Sequence, residues 1–180
     1  MFEVGNPEPA FAYVEALRDG RGCTATQYEF CTYNDEISSI IERIVSSRPA
    51  TPLRQFLPYL TAADAEIARE PMTRFPNAWQ AEAARRTALV EACEREADIR
   101  IAAPALHYAR ELQLTTPIGL CIVYDTVLQH GHAEDGDSLQ AIIGRTKRVL
   151  SSGYSEREFL MRLLEVRREQ RAGSMPCATC

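Results

Sequence analysis

The strongest constraint on the fold of this chain is a succession of apolar patterns with helical spacing. Residues 34–47 show it best, because their apolar residues recur every three or four positions, with Asn34 or Asp35 as the N-cap of a helix. The apolar residues of this segment are Ile37, Ile40, Ile41, Ile44 and Val45. Further helical patterns occupy residues 52–60, 77–97, 104–112, 117–128, 138–150 and 155–166. The last of them begins with a capping box, Ser155-Glu156-Arg157-Glu158. The sequence therefore predicts one mainly helical domain with a core of its own.

The stretch Asp19-Gly20-Arg21-Gly22 interrupts this helical series and holds a carboxylate and a guanidinium close together. Apolar residues before it are spaced as in a helix, so we expect Glu15 on the last turn of a helix and Asp19 just past its end. Residues 23–31 are rich in Thr, aromatic and Cys residues, which favours a short strand. Two glycines permit a sharp turn there. This turn is either a charged element of a site or a solvated surface turn, and the tetrapeptide alone favours the second interpretation.

A second feature is the carboxylate of Asp125 in the most apolar helical segment, residues 117–128. This segment is apolar nearly all round, which is typical of a central, buried helix. A buried aspartate needs a cation or several donors. Arg167 falls on the apolar side of the last predicted helix, so we expect it to pair with Asp125.

Charge and motifs restrict the classes of ligand. The formal net charge of −5 disfavours nucleic-acid binding and favours a cationic ligand. His130 and His132 end a helical pattern, so a helix C-cap is a better interpretation than a metal site, and we expect no metal ion and no cofactor. Cys23 and Cys31 flank the predicted strand, and the sequence leaves open whether they pair. Cys93 and Cys121 are expected in the core.

Neither a membrane-spanning run of apolar residues nor a secretory signal at the start of the chain is seen in the sequence. We therefore expect no membrane partner. The chain is expected to be either cytoplasmic or a mature or incomplete form of a longer protein.

Several landmarks occur together in an order that resembles the chitosanases of glycoside hydrolase family 46. They are residues 13–24 with Asp-Gly-Arg-Gly-x-Thr, residues 30–32, residues 57–60, Tyr124-Asp125 with His130-Gly131, and Phe159-Leu160 leading to Arg167. The resemblance implies a lysozyme-like, mainly helical fold with a small β-element and a substrate cleft between two lobes. It implies one catalytic domain over residues 1–180. Its lobes are expected to be about residues 1–60 with the C-terminal helix, and about residues 77–150.

The resemblance also implies a reaction, the endo-hydrolysis of β-1,4 bonds between glucosamine units of chitosan with inversion. Glu3 matches the catalytic acid, Asp19 matches the base, and Thr24 matches a residue that helps to place the attacking water. Residues that match substrate-binding or supporting positions are Glu15, Arg21, Asp35, Asp125 and Arg167. Two carboxylates and water suffice for this reaction, so no cofactor is implied. The family further implies an extracellular protein, and we expect a monomer.

Two other functions are open. One is a lysozyme-like hydrolase of another amino-sugar polymer, chitin or peptidoglycan, although the acidic charge counts against the anionic peptidoglycan. The other is a catalytically weak or inactive sugar-binding relative, which the position of Glu3 at the start of the chain favours.

Overall fold

The computed structural model describes residues 7–17, 22–60, 72–133 and 136–174. These residues form mainly helices and one small antiparallel sheet, which confirms the predicted fold class. The chain divides into two compact units, Met1–Asp98 and Ile99–Cys180. The lobe boundaries expected from the resemblance stay a prediction.

The first unit contains the sheet and most of the short helices. Its elements are α1 (Pro7–Ala12), β1 (Val14–Leu17), β2 (Gly22–Ala25), β3 (Phe30–Cys31), α2 (Asp35–Ser47), a 3₁₀ helix (Pro52–Phe56), α3 (Leu57–Leu60), α4 (Phe75–Ala83) and α5 (Thr87–Ala97). Helix α2 begins directly after Asn34, one of the two predicted N-cap residues. Its residues Ile37, Ile40, Ile41 and Ile44 are completely buried. The apolar stripe of α2 therefore forms part of this unit's core.

The predicted helix around Glu15 is wrong, because helix α1 ends at Ala12 and Glu15 lies in strand β1. Strand β1 pairs with β2 in an antiparallel register that joins Val14 to Ala25 and Leu17 to Gly22. The hydrogen bonds of β1 are made to a neighbouring strand and not within the segment itself. The spacing of three apolar residues in so short a segment does not reveal such a pairing. Residues 18–21, which connect the two strands, lie outside the described residues.

The predicted long helix over residues 77–97 is two helices, α4 and α5. Arg86 separates them with a φ of 64°, a left-handed conformation that cannot continue an α-helix. The Ala- and Glu-rich composition has high helix propensity on both sides of this break, so composition alone conceals it.

The second unit is helical in its described residues. A π-helical turn (Asp98–Ala102) precedes α6 (Ala103–Glu111), which is followed by α7 (Pro117–His130), α8 (Leu139–Val149) and α9 (Glu156–Ser174). Side-chain caps begin two of these helices: Thr116 Oγ1 accepts a hydrogen bond from the Gly119 N–H at 3.1 Å, and Ser138 Oγ caps α8 in the same manner. Ser155 and Glu158 form the predicted capping box at the start of α9.

Helix α7 is not buried all round, contrary to the prediction. Its buried side consists of Gly119, Val123, Thr126 and Val127, whereas Ile118 is 62 % exposed. Cys121 is exposed as well, so its predicted core position is wrong. A helix that is apolar on every side gives no direction of burial, because its neighbours decide which face they cover. None of the helices in the described ranges is long and apolar enough to cross a membrane.

Smaller errors of the same kind occur in the helices on either side of α7. The apolar pattern of α6 predicts Leu106 and Ala109 on its inner side. Ala109 is buried as predicted, whereas Leu106 is 41 % exposed. Val149, at the end of α8, is also exposed.

Candidate active site

The three-stranded sheet places two of the predicted site residues next to each other. Glu15 of β1 lies directly opposite Thr24 of β2, and Thr24 lies opposite Cys31 of β3. Directly opposed residues share a face of the sheet, so these three side chains lie on one face. The other face carries Cys23, Ala25 and Phe30, which are buried. The sheet therefore turns one face to the core and leaves the other for Glu15 and Thr24.

The hydroxyl of Thr24 is a buried polar group on this sheet. Thr24 is 9 % exposed, and among the described residues its Oγ1 has no hydrogen-bond partner. A buried polar group without a partner costs about 1–3 kcal/mol, so such groups need an explanation. A hydroxyl in this state is available to hydrogen-bond a small polar molecule.

The carboxylate of Glu15 is held by a neighbour two residues away. Tyr13 Oη donates a hydrogen bond to Glu15 Oε2 at 2.6 Å. This hydrogen bond is the largest of several effects that raise the pKa of Tyr13. Because a strand places residues 13 and 15 on the same side, the ring of Tyr13 can orient the carboxylate.

Asp35 is the first residue of α2, and it is exposed. Its backbone carbonyl accepts a hydrogen bond from Ser38 Oγ at 2.9 Å. The following residue, Glu36, ties the helix to the sheet, because its Oε2 accepts a hydrogen bond from the Cys31 N–H at 2.8 Å. Asp35 therefore starts a helix whose first turn is fixed to β3.

The predicted pair of Asp125 and Arg167 is present in the second unit. Arg167 Nη2 lies 2.5 Å from Asp125 Oδ2, and Nη1 lies 3.4 Å from Thr126 Oγ1. The pair makes one close contact to the carboxylate rather than two. Contrary to the prediction, Asp125 is not buried: its side chain is 49 % exposed, whereas that of Arg167 is 10 % exposed. Asp125 lies at the edge of the buried side of α7, since Thr126 is buried next to it.

The remaining predicted site residues, Glu3, Asp19 and Arg21, lie outside the described residues. Helix α1, which begins four residues after Glu3, is anchored in the first unit, because Trp79 Nε1 donates a hydrogen bond to the Phe11 carbonyl at 3.0 Å. Phe11 is itself buried and packs edge-on against Tyr28. The site residues described so far thus form two groups, Glu15 with Thr24 in the first unit and Asp125 with Arg167 in the second.

The cysteine and histidine predictions have mixed outcomes. Cys23 and Cys31 are free thiols, and burial raises the pKa of Cys23 to about 11, so that it remains protonated at neutral pH. Cys93 is a buried core residue, as predicted. His130 ends α7 as predicted. The next residue, Gly131, has a φ of 67°, and its N–H donates a hydrogen bond to the Val127 carbonyl. Within the described ranges, no three His, Cys, Asp or Glu side chains are grouped to hold a metal ion.

Three residues around the sheet escaped the sequence analysis: Tyr13, Thr32 and Glu36. Thr32 and Glu36 act through contacts that depend on strand register or on the packing of α2, which spacing along the chain does not reveal. Tyr13 contacts Glu15 through the two-residue period of a strand, which the predicted helix around Glu15 concealed. For Thr32 the sequence offered one signal, the high content of hydroxyl and aromatic residues between positions 23 and 33.

Comparison with known proteins places the chain in the class of the glycosyl hydrolase families. The model of glycosyl hydrolase family 46 matches residues 1–175, so the chain belongs to this family. It is 30 % identical over 173 residues to a chitosanase of Bacillus subtilis strain 168, and the matched region covers 93 % of this chain and 62 % of that protein. It is 26 % identical over 162 residues to a chitosanase of Streptomyces sp. strain N174, and the matched region covers 88 % of this chain and 58 % of that protein.

Solved structures of the family have the same fold. A family 46 chitosanase of Gynuella sunshinyii in complex with chitotetraose is 31 % identical, with a TM-score of 0.80 over 89 % of this chain and 68 % of that one. A native chitosanase of Bacillus subtilis MY002 is 28 % identical, with a TM-score of 0.81 over 92 % of this chain and 70 % of that one. The chain thus spans 62 % of the length of the Bacillus subtilis strain 168 relative and 58 % of the Streptomyces one.

Proposed function

We propose that this protein is a chitosanase that cleaves β-1,4 bonds within chains of glucosamine units. The observation that carries the proposal is the family match over residues 1–175, joined to a relative whose structure holds chitotetraose. The net charge of −5 supports it independently, because an acidic protein attracts a cationic polysaccharide.

In the proposed reaction two carboxyl groups act on opposite sides of the sugar ring. Glu3 donates a proton to the leaving glycosidic oxygen, while Asp19 removes a proton from a water molecule whose oxygen bonds to the anomeric carbon. The configuration at that carbon inverts, which requires the carboxyl groups to be about 6.5–9.5 Å apart to leave room for the water. Glu3 must be protonated and Asp19 ionised, and Arg21, two residues from Asp19, favours the ionised base.

The hairpin of β1 and β2 supports the proposed roles of Asp19 and Thr24. Residues 18–21 connect two strands whose last pair, Leu17 and Gly22, is fixed in register, so both ends of the segment with Asp19 are held. Thr24 follows two residues later, and its buried hydroxyl has no hydrogen-bond partner among the described residues. We assign this hydroxyl to the attacking water, which would accept or donate a hydrogen bond there while Asp19 takes its proton.

The remaining residues are assigned binding and supporting roles. Glu15, whose carboxylate Tyr13 orients, and the exposed Asp35 would bind ammonium groups of the glucosamine chain. Asp125 and Arg167 would act as a support, because their ion pair joins α7 to α9. We further propose that the protein acts as a monomer outside the cell and without a cofactor.

The proposal is tested by incubating the protein with a glucosamine hexamer and following the anomeric protons of the products by NMR. We expect internal cleavage with the α-anomer formed first, and loss of cleavage in Asp19→Asn and in Glu3→Gln. Glu91→Gln, at an exposed position on α5, is the matched control and should retain activity. First formation of the β-anomer would contradict inversion.

The same assay separates the other two functions. Cleavage of chitin or peptidoglycan, with the glucosamine hexamer left intact, would assign the chain to hydrolysis of another amino-sugar polymer. Binding of the hexamer without cleavage, by a folded protein, would indicate an inactive sugar-binding relative.

A further inference from the structure

The backbone of Cys23 is held on both sides by one residue, Thr32. The Thr32 N–H donates a hydrogen bond to the Cys23 carbonyl at 2.9 Å, and the Cys23 N–H donates one to Thr32 Oγ1 at 2.8 Å. Thr32 is 7 % exposed, so both hydrogen bonds are shielded from water. These contacts make Thr32 an integral part of the sheet although it lies beyond the last residue of β3.

The end of β3 explains why a side chain makes the second contact. Along an antiparallel strand, successive residues direct their N–H and C=O groups to alternate neighbours. Thr26 N–H donates to the Tyr13 carbonyl on the β1 side, so the backbone groups of Cys23 face β3. Strand β3 ends at Cys31, and the hydroxyl of Thr32 accepts the N–H that a longer strand would accept through its carbonyl. Without it, a buried N–H would be left unsatisfied, which is rare in proteins.

The same hydroxyl also determines the residue at position 22. Gly22 has a φ of 95°, and a Cβ atom there would lie 2.2 Å from Thr32 Oγ1. That distance is far below any non-bonded contact, so only glycine fits beneath the hydroxyl. Thr32 therefore fixes which residue can occupy position 22, and it fixes the backbone of Cys23 by two hydrogen bonds.

We propose that Thr32 is a positioning residue for the hydrolytic reaction. The two residues that it fixes lie between the connecting residues 18–21, which contain the proposed base Asp19, and Thr24, to which the attacking water is assigned. The hydroxyl of Thr32 is hydrogen-bonded to the backbone of Cys23, so Thr32 affects the reaction indirectly, by fixing the conformation of the hairpin. This inference rests on the proposed function, because it concerns the placement of that reaction's base and water.

The test compares Thr32→Val with Thr32→Ser. Valine keeps the shape of the side chain but removes the acceptor, whereas serine keeps the acceptor. Since a displacement of about 1 Å in an active site reduces rates by about 100-fold, we expect Thr32→Val to lower kcat on chitosan by about 10- to 100-fold. KM should change little, and Thr32→Ser should retain kcat within about threefold.

Thr51→Val separates positioning from a general loss of stability. Thr51 is a buried threonine in the same unit, and its hydroxyl donates to Glu82 Oε2 at 2.8 Å; neither residue belongs to the hairpin. Rates are compared well below the melting temperature of each variant and per folded molecule. We expect Thr51→Val to lower the melting temperature while keeping kcat. Hydrogen exchange at the Cys23 amide should become faster in Thr32→Val and stay slow in Thr32→Ser.

The outcomes distinguish this inference from the proposed function. An active wild type whose Thr32→Val variant keeps full kcat overturns the positioning role alone. A kcat that falls equally in Thr32→Val and Thr51→Val also overturns it, since the loss would then follow stability. A folded wild type that cleaves no amino-sugar polymer overturns the proposed function and, with it, the role of Thr32.

Discussion

Removal of Asp125 should destabilise the protein more than removal of Arg167, although each change deletes the same ion pair. The reason is the unequal exposure of the two side chains, 49 % for Asp125 and 10 % for Arg167. In Asp125→Ala the guanidinium remains largely buried, and among the described residues the Thr126 hydroxyl, at 3.4 Å, is its remaining hydrogen-bond partner. In Arg167→Met the carboxylate remains half in water, which solvates it, and the methionine keeps most of the apolar stem.

The size of each effect follows from these exposures. Breaking a fully buried pair costs about 3–5 kcal/mol, and exposed pairs contribute about 0–1 kcal/mol. Because only the arginine is buried, we expect about 2–3 kcal/mol for Asp125→Ala and about 1 kcal/mol for Arg167→Met. For a protein of this size, 1 kcal/mol corresponds to a shift in melting temperature of about 2–4 °C.

Urea denaturation followed by circular dichroism measures both values. The double variant completes a cycle that isolates the coupling between the two side chains. If Arg167→Met costs as much as Asp125→Ala or more, the argument from burial is refuted, because the carboxylate would then be the side chain that depends on its partner.

Three further predictions concern single contacts. Gly22→Ala should reduce both melting temperature and chitosan cleavage because of the contact with Thr32 Oγ1, and a variant with unchanged melting would contradict that contact. The hydrogen bond from the Thr116 hydroxyl, followed by those from Thr115, lowers the pKa of Glu156 to about 2. The ionised Glu156 therefore stabilises the fold fully above the unfolded pKa of about 4.5, and this stabilisation is lost as the pH falls toward 2. Glu156→Gln should therefore be less stable than the wild type at pH 7, with a difference that shrinks between pH 4.5 and 2, and a constant difference would refute the shift. Trp79→Phe removes the donor to the Phe11 carbonyl from a completely buried site and should cost about 2 kcal/mol in urea denaturation, whereas a near-neutral result would contradict the anchoring of α1.

Local features of the fold could be predicted from the sequence, and features that depend on distant contacts could not. The start of α2 and the capping box of α9 were predicted because a cap and its helix lie within a few residues of each other. Strand β1 was taken for helix because its structure depends on pairing with β2. The exposed side of α7 could not be predicted, since an apolar helix does not encode which face its neighbours cover.

The candidate site shows the same division. The pairing of Asp125 with Arg167 could be predicted, because each charge stands alone on the apolar side of a helical pattern. The exposure of Asp125 could not, since it depends on how α7 packs. The contacts of Thr32 with Cys23 depend on the strand register, and the sequence holds no direct signal for that register.

The release of reducing sugar from highly deacetylated chitosan at mildly acidic pH tests the central claim most directly, with wild type and Asp19→Asn measured in parallel. The account predicts release by the wild type and its loss in a variant that folds equally well by circular dichroism. No release from a folded wild type would contradict the proposed function. Equal release from both proteins would show that Asp19 is not the base.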